Sequence, residues 1–347
     1  MRTYVGCDAH KRYSIFVTMT GRGRAGAPVR VEHAPEMYRA FLRGLPAGSP
    51  IAIETVGNWY WMIEEMEKAG HEPKLAHAGK AKVMMGQINK TDKLDAKGLA
   101  TLLLNGTLPS VWIPPGELRD QRELSRMRMS LVRVRTMFKN RIHATLAKYG
   151  IVIDEVSDIF GATGREIVTS RLKELPPHTR ESVLTQLAVL DDVEGRIGPC
   201  EKEIEAVVRE TREMQLLKTL PGVGPILATA IALEIGDVDR FPGPDRLASY
   251  AGTVPRVKSS GGKTYLGKVR QDVNRYLKWA LVEAANVIHR NPGRYAGRHV
   301  VRLYLRVRER RGHPKAIVAV ARHLAEAAYW VLKKNEPYRE PISSNQG

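Results

Sequence analysis

The sequence predicts an α/β domain followed by a mainly helical, strongly basic region, and three observations predict it. Up to Pro114-Pro115, short β-branched runs of strand length alternate with amphipathic stretches of helix length. Beyond that pair, apolar residues recur at three- and four-residue steps almost to the end. The chain also carries 55 Lys+Arg against 37 Asp+Glu, a formal net charge of +18 on 347 residues.

Taken in order, Tyr4-Val5-Gly6-Cys7-Asp8 reads as a buried first strand that ends on a carboxylate. Tyr13, Ile15, Val17 and Met19 alternate along a second strand, residues 21–26 turn, and Val29 to Val31 supply a third. A helix with the face Met37, Phe41 and Leu45 leads into the strand Ile51-Ala52-Ile53-Glu54. The next helix carries Trp59, Met62, Ile63 and Met66 and closes at Gly70. Residues 74–77 form another strand, and Thr91 caps a helix that displays Asp92 and Asp95 on one face. Three strands with the first carboxylate mid-sheet, then alternating helices and strands, are the plan of the α/β ribonuclease-H-like fold.

In the helical region, Leu124, Met127, Leu131, Val134, Phe138 and Ile142 mark an apolar stripe, while Arg119, Arg122, Arg126, Arg133 and Arg135 occupy other faces. Those arginines suit a phosphate backbone; a solvated face of a packed helix is the competing reading. Leu190, Val193, Ile197, Cys200, Ile204, Val207 and Met214 follow coiled-coil spacing, with a kink or break expected at Gly198-Pro199. Leu220-Pro221-Gly222-Val223-Gly224-Pro225 resembles the turn of a helix-hairpin-helix, in which Gly222 and Gly224 bring backbone N–H groups to a nucleic-acid phosphate. A polar loop then runs from Gly252 to Thr264, where Ser259 and Ser260 stand among Arg256, Lys258 and Lys263. Further on, Arg298, Arg302, Arg306, Arg308, Arg310 and Arg311 stud a helix.

Charge and chemistry converge on phosphodiesters. A balance of +18 makes a polyanion the natural partner, nucleic acid first. No apolar run approaches the roughly 20 residues a membrane span needs, and the amino terminus lacks a signal-peptide core, so a cytoplasmic chain is expected. Two cysteines, Cys7 and Cys200, make neither a disulfide framework nor a zinc cluster. Asp8, Glu54, Asp92 and Asp95 can together hold Mg²⁺, with Mn²⁺ as the alternative, and two such ions clamp the attacking and leaving oxygens of a phosphoryl transfer.

In this order, Gly6-Cys7-Asp8, Glu54-Thr55-Val56-Gly57-Asn58-Trp59 and Thr91-Asp92-Lys93-Leu94-Asp95-Ala96, with the glycine turn and the serine loop behind them, the chain resembles the DEDD insertion-sequence transposases. These are the IS one-ten family of bridge-RNA-guided recombinases. The resemblance implies a RuvC-like amino-terminal domain and a serine in the carboxy-terminal domain that becomes covalently joined to DNA. Matched onto this loop that serine is Ser260, with Ser259 its competitor. Cys7 and Val56 depart from the residues more usual at those positions, and neither removes a ligand. The domains expected are 1–148 (RuvC-like, with the basic helix), 149–213 (helical coiled-coil linker) and 214–347 (transposase domain with helix-hairpin-helix and serine loop). The implied partners are DNA, a structured guide RNA and further copies of the chain, as a dimer or tetramer. A junction-selective metal-dependent endonuclease and a non-catalytic nucleic-acid scaffold are the alternatives.

Overall fold

Short apolar runs, buried at the sheet centre and half-solvated towards its edges, build one six-stranded sheet from β1 (Thr3–Ala9), β2 (Tyr13–Thr20), β3 (Val29–Glu32), β4 (Pro50–Glu54), β5 (Glu72–Ala76) and β6 (Ser110–Val111). The computed structural model describes residues 2–55, 57–86, 92–269 and 272–341 and divides into two units, Met1–Ile113 and Pro114–Gly347. In the first, the strand order is β3-β2-β1-β4-β5-β6. The first three strands are antiparallel, β4 and β5 run parallel to β1, and β6 is antiparallel. This mixed sheet agrees with the α/β class expected of the first part of the chain.

Helices cover both sheet faces. On one, α1 (Pro35–Arg43) and α2 (Trp59–Lys68) bury Tyr38, Leu42, Met62, Ile63 and Met66 against Val5, Cys7, Phe16, Ile51 and Ile53. On the other, α3 (Ala78–Met85) and α4 (Asp92–Leu104) pack Ala81, Leu99 and Leu102 against Ala52 and Ala76. Met37 does not join the core: it is exposed, and α1 turns Tyr38 and Leu42 inward instead, the Tyr38 ring lying 4.8 Å from Trp61 and 5.8 Å from Phe16. Thr91, the expected cap of α4, and Val56 lie outside the described residues.

The second unit contains α5 (Gly116–Lys148), α6 (Ala162–Arg171), α7 (Pro177–Val207), α8 (Arg212–Leu217), α9 (Pro225–Ile235), α10 (Pro244–Tyr250), the strands β7 (Pro255–Ser260) and β8 (Lys263–Val269), α11 (Arg275–Arg290), α12 (His299–Arg311) and α13 (His313–Lys334). Long helices α5 and α7 pack side by side within the chain. Arg128 pairs with Glu201 and Lys139 with Glu194, so the two run antiparallel. The basic helix packs within the second compact unit: its stripe shows that it has a buried face but not whose surface fills it. Nor does Gly198-Pro199 break α7. Val193 and Ile197 before it, and Ile204 after it, are buried in clusters shared with α5, which holds both flanks in one helix. The core of the unit gathers α8 to α13 around Ile231, Leu247, Leu281 and Leu324.

Candidate active site

Parallel pairing of β1 with β4 sets Cys7 opposite Ile53, so the next position on each strand carries a carboxylate, Asp8 and Glu54. Gly6 and Ala52, two residues earlier, face α4, and period two returns Asp8 and Glu54 to that face. The approach of α4 is close because residue 6 is glycine. A Cβ there would sit 1.9 Å from the Ala96 carbonyl oxygen and 2.7 Å from the Ala100 nitrogen. The first turn of α4, pressed against β1 in this way, bears Asp92 and Asp95.

At the centre is a residue the sequence reading did not single out. His10 Nε2 lies 3.1 Å from Asp8 Oδ2 and 3.1 Å from Asp92 Oδ2, and ligand atoms of the three residues lie within 4.8 Å of one another. Tyr13 donates its hydroxyl to Asp92 Oδ2 at 3.2 Å. Its ring stacks on the His10 imidazole at 4.6 Å, with the Arg30 guanidinium 3.7 Å from the Tyr13 centroid. Asn58 fixes the His10 backbone by donating to its carbonyl at 3.0 Å. The signal was there: residues 10–12 join β1 directly to β2, so any side chain in that turn must stand beside the end of β1.

Burial pushes the Asp8 carboxyl up from its ordinary range; nearby His10 opposes this, and Asp95 and Asp92 add to it. Asp95 is thus an electrostatic neighbour of Asp8, although Asp95 and Glu54 fall outside the group of three. Crowded carboxylates and one imidazole nitrogen form a donor set that suits an octahedral divalent cation of the Mg²⁺ or Mn²⁺ type.

In the second unit, the expected serine loop is a β-hairpin. Ser260 pairs with Lys263 across Gly261 (φ +55°) and Gly262 (φ +74°), a two-residue turn needing positive φ at both positions. Arg256 and Ser259 are exposed; for Lys258, Ser260 and Lys263 the backbone alone is described. Register puts Lys258, Ser260, Lys263 and Tyr265 at positions of one hairpin face, and Val257, Ser259, Thr264 and Leu266 at positions of the other. At the hairpin base, buried Thr253 donates its hydroxyl to the Ala248 carbonyl at 2.9 Å, and the Asn274 backbone N–H donates to the Tyr250 carbonyl at 2.9 Å.

Two expected phosphate contacts lie elsewhere than on an open surface. Arg126 is turned inward: its guanidinium makes two bonds, of 2.7 and 3.0 Å, to the buried Glu234 carboxylate and covers the Tyr276 ring at 4.5 Å. Arg119 and Arg122 are buried too. Gly222 (φ +76°) faces the core, where a Cβ would sit 2.3 Å from the Ala284 carbonyl oxygen, so this glycine serves helix packing. Gly224 is exposed and caps α9, and Arg133 stays on the surface.

The chain is similar to known transposases. A family model of DEDD transposases of the IS110 type matches residues 5–151, and one described as "Transposase IS116/IS110/IS902 family" matches residues 214–298. The chain is 28% identical over 256 residues to a "Probable family 20 transposase" of Pseudomonas aeruginosa, covering 73% of this chain and 74% of the relative. It is 28% identical over 251 residues to the "Transposase for insertion sequence element IS1111A" of Coxiella burnetii, covering 72% and 69%. With the IS1328 transposase of Yersinia enterocolitica the figures are 27% over 244 residues, 68% and 70%.

Proposed function

We propose, from the premise that this chain belongs to the IS110-type DEDD transposases and acts on DNA by phosphoryl transfer, that its first unit is a RuvC-like nuclease using Mg²⁺ and that Ser260 becomes covalently joined to the strand it cuts. The observation that carries the reading is the meeting of Asp8, His10 and Asp92 within 4.8 Å, on the sheet face that also bears Glu54, with Asp95 an electrostatic neighbour of Asp8. When bound, Mg²⁺ supplies positive charge to the attacking and leaving oxygens. The protein's own part is to hold that charge in place. Asp8 is fixed by β1, Asp92 by α4 and by the Tyr13 hydroxyl, and the Gly6 contact sets how closely the two elements approach.

For Ser260, support comes from the hairpin register, which groups it with Lys258 and Lys263. Lysine at those register positions is the residue type suited to stabilise the oxygens of a pentavalent phosphorus. In the step proposed, a bond forms between the serine oxygen and phosphorus while a phosphorus–sugar oxygen bond breaks. The phosphodiester energy is kept in the protein–DNA ester, and the serine proton is lost as the sugar hydroxyl gains one. Target choice is assigned to a structured guide RNA, supported by the +18 charge and the exposed arginines of α12. The α8–α9 turn acts as a helix-hairpin-helix phosphate contact through Gly224, and the chain works as a dimer or tetramer. Among the described residues no helix is long and apolar enough to cross a membrane.

The test combines the full-length protein with Mg²⁺, co-purified RNA and DNA carrying the ends of its element. Strand cleavage together with a denaturant-resistant protein–DNA adduct is expected. Asp8→Ala should lose both and keep DNA binding. Cleavage with no adduct would replace the serine by water, and full cleavage in Asp8→Ala would sink the metal site.

A further inference from the structure

We infer that His10 is a nitrogen ligand of the metal, and that it makes this site favour Mn²⁺ over Mg²⁺. The inference rests on the carboxylate metal site proposed above and adds a residue to it.

Two distances from the imidazole nitrogen are equal. His10 Nε2 stands 3.1 Å from Asp8 Oδ2 and 3.1 Å from Asp92 Oδ2. Neighbouring ligand atoms of an octahedral cation with bonds of about 2.1 Å lie about 3.0 Å apart, because the edge of an octahedron is √2 times the bond length. Both distances from the nitrogen therefore match octahedral edges, and the three ligand atoms lie within 4.8 Å of one another. A hydrogen bond has a similar length, but one Nε2 carries at most one proton. A single N–H points well at one carboxylate and leaves the other facing nitrogen without a proton between them. A cation among the three satisfies both oxygens and the nitrogen lone pair together.

The surroundings hold the ring where a ligand is needed. Tyr13 stacks on it at 4.6 Å with an interplanar angle of 26°, and Arg30 lies over Tyr13. Tyr13 also donates to the Asp92 oxygen nearest His10, the kind of outer hydrogen bond that orients a metal-binding carboxylate. Asn58 bonds the His10 carbonyl, which limits the turn that carries the ring. Mn²⁺, a first-row transition ion, accepts an imidazole nitrogen more readily than Mg²⁺, which prefers oxygen and gives up its waters reluctantly. A His10 ligand therefore shifts selectivity as well as affinity.

The test is made on the full-length protein, with metal binding as its readout. In the unmodified chain, pulsed electron paramagnetic resonance of bound Mn²⁺ should show coupling to a directly bound nitrogen. That coupling should vanish in His10→Gln, which keeps an amide of similar size beside Tyr13. Calorimetric titration should give roughly a tenfold weaker Mn²⁺ dissociation constant in His10→Gln and about a threefold or smaller change for Mg²⁺. Absence of nitrogen coupling in the unmodified protein overturns the inference without any variant. Equal losses for both ions overturn the selectivity. Asp8→Asn separates the two readings: if it abolishes binding while His10→Gln changes neither coupling nor affinity, His10 alone is excluded. If Asp8→Asn leaves binding intact, the carboxylate site itself fails.

Discussion

Asn274 donates its side-chain amide to Glu234 Oε2 at 2.7 Å, and that carboxylate is also gripped by Arg126 from α5. The same amide nitrogen reaches the Tyr250 hydroxyl at 2.9 Å, while Asn274 Oδ1 accepts from the N–H groups of Tyr276 and Leu277 and caps α11. One buried acid thus joins α5, α9 and the point where the chain leaves the hairpin for α11. Removing it strands the Arg126 and Arg122 charges in the interior. Glu234→Ala should cost about 3 kcal/mol, read as a lower urea midpoint, whereas Glu234→Gln, which still accepts hydrogen bonds, should cost less.

The inward turn of Arg126 also bears on nucleic-acid affinity. Arg302, Arg306 and Arg310 are exposed and recur every fourth residue on α12, about 6 Å apart along the helix axis. Replacing all three by alanine should flatten the slope of log affinity against log salt by roughly 2 to 3 units for duplex DNA, since each phosphate contact contributes about 0.9. Arg126→Ala should leave that slope unchanged. An equal loss of slope in Arg126→Ala would show that its pair with Glu234 opens to bind phosphate.

Gly6 links packing to chemistry. Because α4 lies against it, Gly6→Ala forces a Cβ into the Ala96 carbonyl, and α4 must move away from β1. A cost of about 3 kcal/mol is expected. Cleavage and metal affinity should both fall although every carboxylate remains. Unchanged metal affinity in a folded Gly6→Ala protein would uncouple the α4 contact from the site.

How much of this was legible follows from the range of each signal. Strands β1 and β4 announce themselves as short apolar runs because helices bury both of their faces, while β2 and helix α2 show periods of 2 and 3.6. Asp8 and Glu54 are visible as charges ending apolar runs. His10 is not, since what gives it meaning is the three-residue connection that holds it against α4, a contact 82 residues away in the sequence at Asp92. Arg126 looked like a surface charge for the same reason: Glu234, the partner that draws it inward, is 108 residues away. The hairpin was hidden by composition. Its Val257 and Tyr265 are exposed, so no buried face imposes an alternating pattern on Ser259-Ser260-Gly261-Gly262.

Acid should weaken the first unit through Glu65. Arg39, at 2.5 and 3.1 Å, holds the Glu65 carboxyl down at about 2; burial opposes this, and Lys68 assists Arg39. An unfolded glutamate titrates near 4.3. A depressed folded value means the stabilisation is complete above the unfolded value and disappears as pH falls from about 4 through 2. Urea unfolding of the unmodified protein and Glu65→Gln should therefore diverge above about pH 4.5 and converge near pH 2. Parallel curves across that window would show that the α1–α2 pair contributes nothing to acid sensitivity.

Ser259 and Ser260 are adjacent, yet the hairpin separates them more than their numbers suggest. Successive strand positions belong to opposite faces, so the Lys258 and Lys263 positions accompany Ser260, and the Val257 and Leu266 positions accompany Ser259. Cationic neighbours favour the face on which a phosphate is attacked. Ser260→Ala should thus abolish the protein–DNA adduct with DNA binding retained, and Ser259→Ala should leave the adduct within a few-fold of normal. The turn supplies a control. Both turn glycines have positive φ, so replacing Gly261 and Gly262 together by alanine should strain the hairpin tip and reduce adduct formation with both serines still present. An adduct that survives Ser260→Ala but disappears in Ser259→Ala would assign the chemistry to the opposite face, and the lysines would then be contacts for DNA rather than partners of the nucleophile.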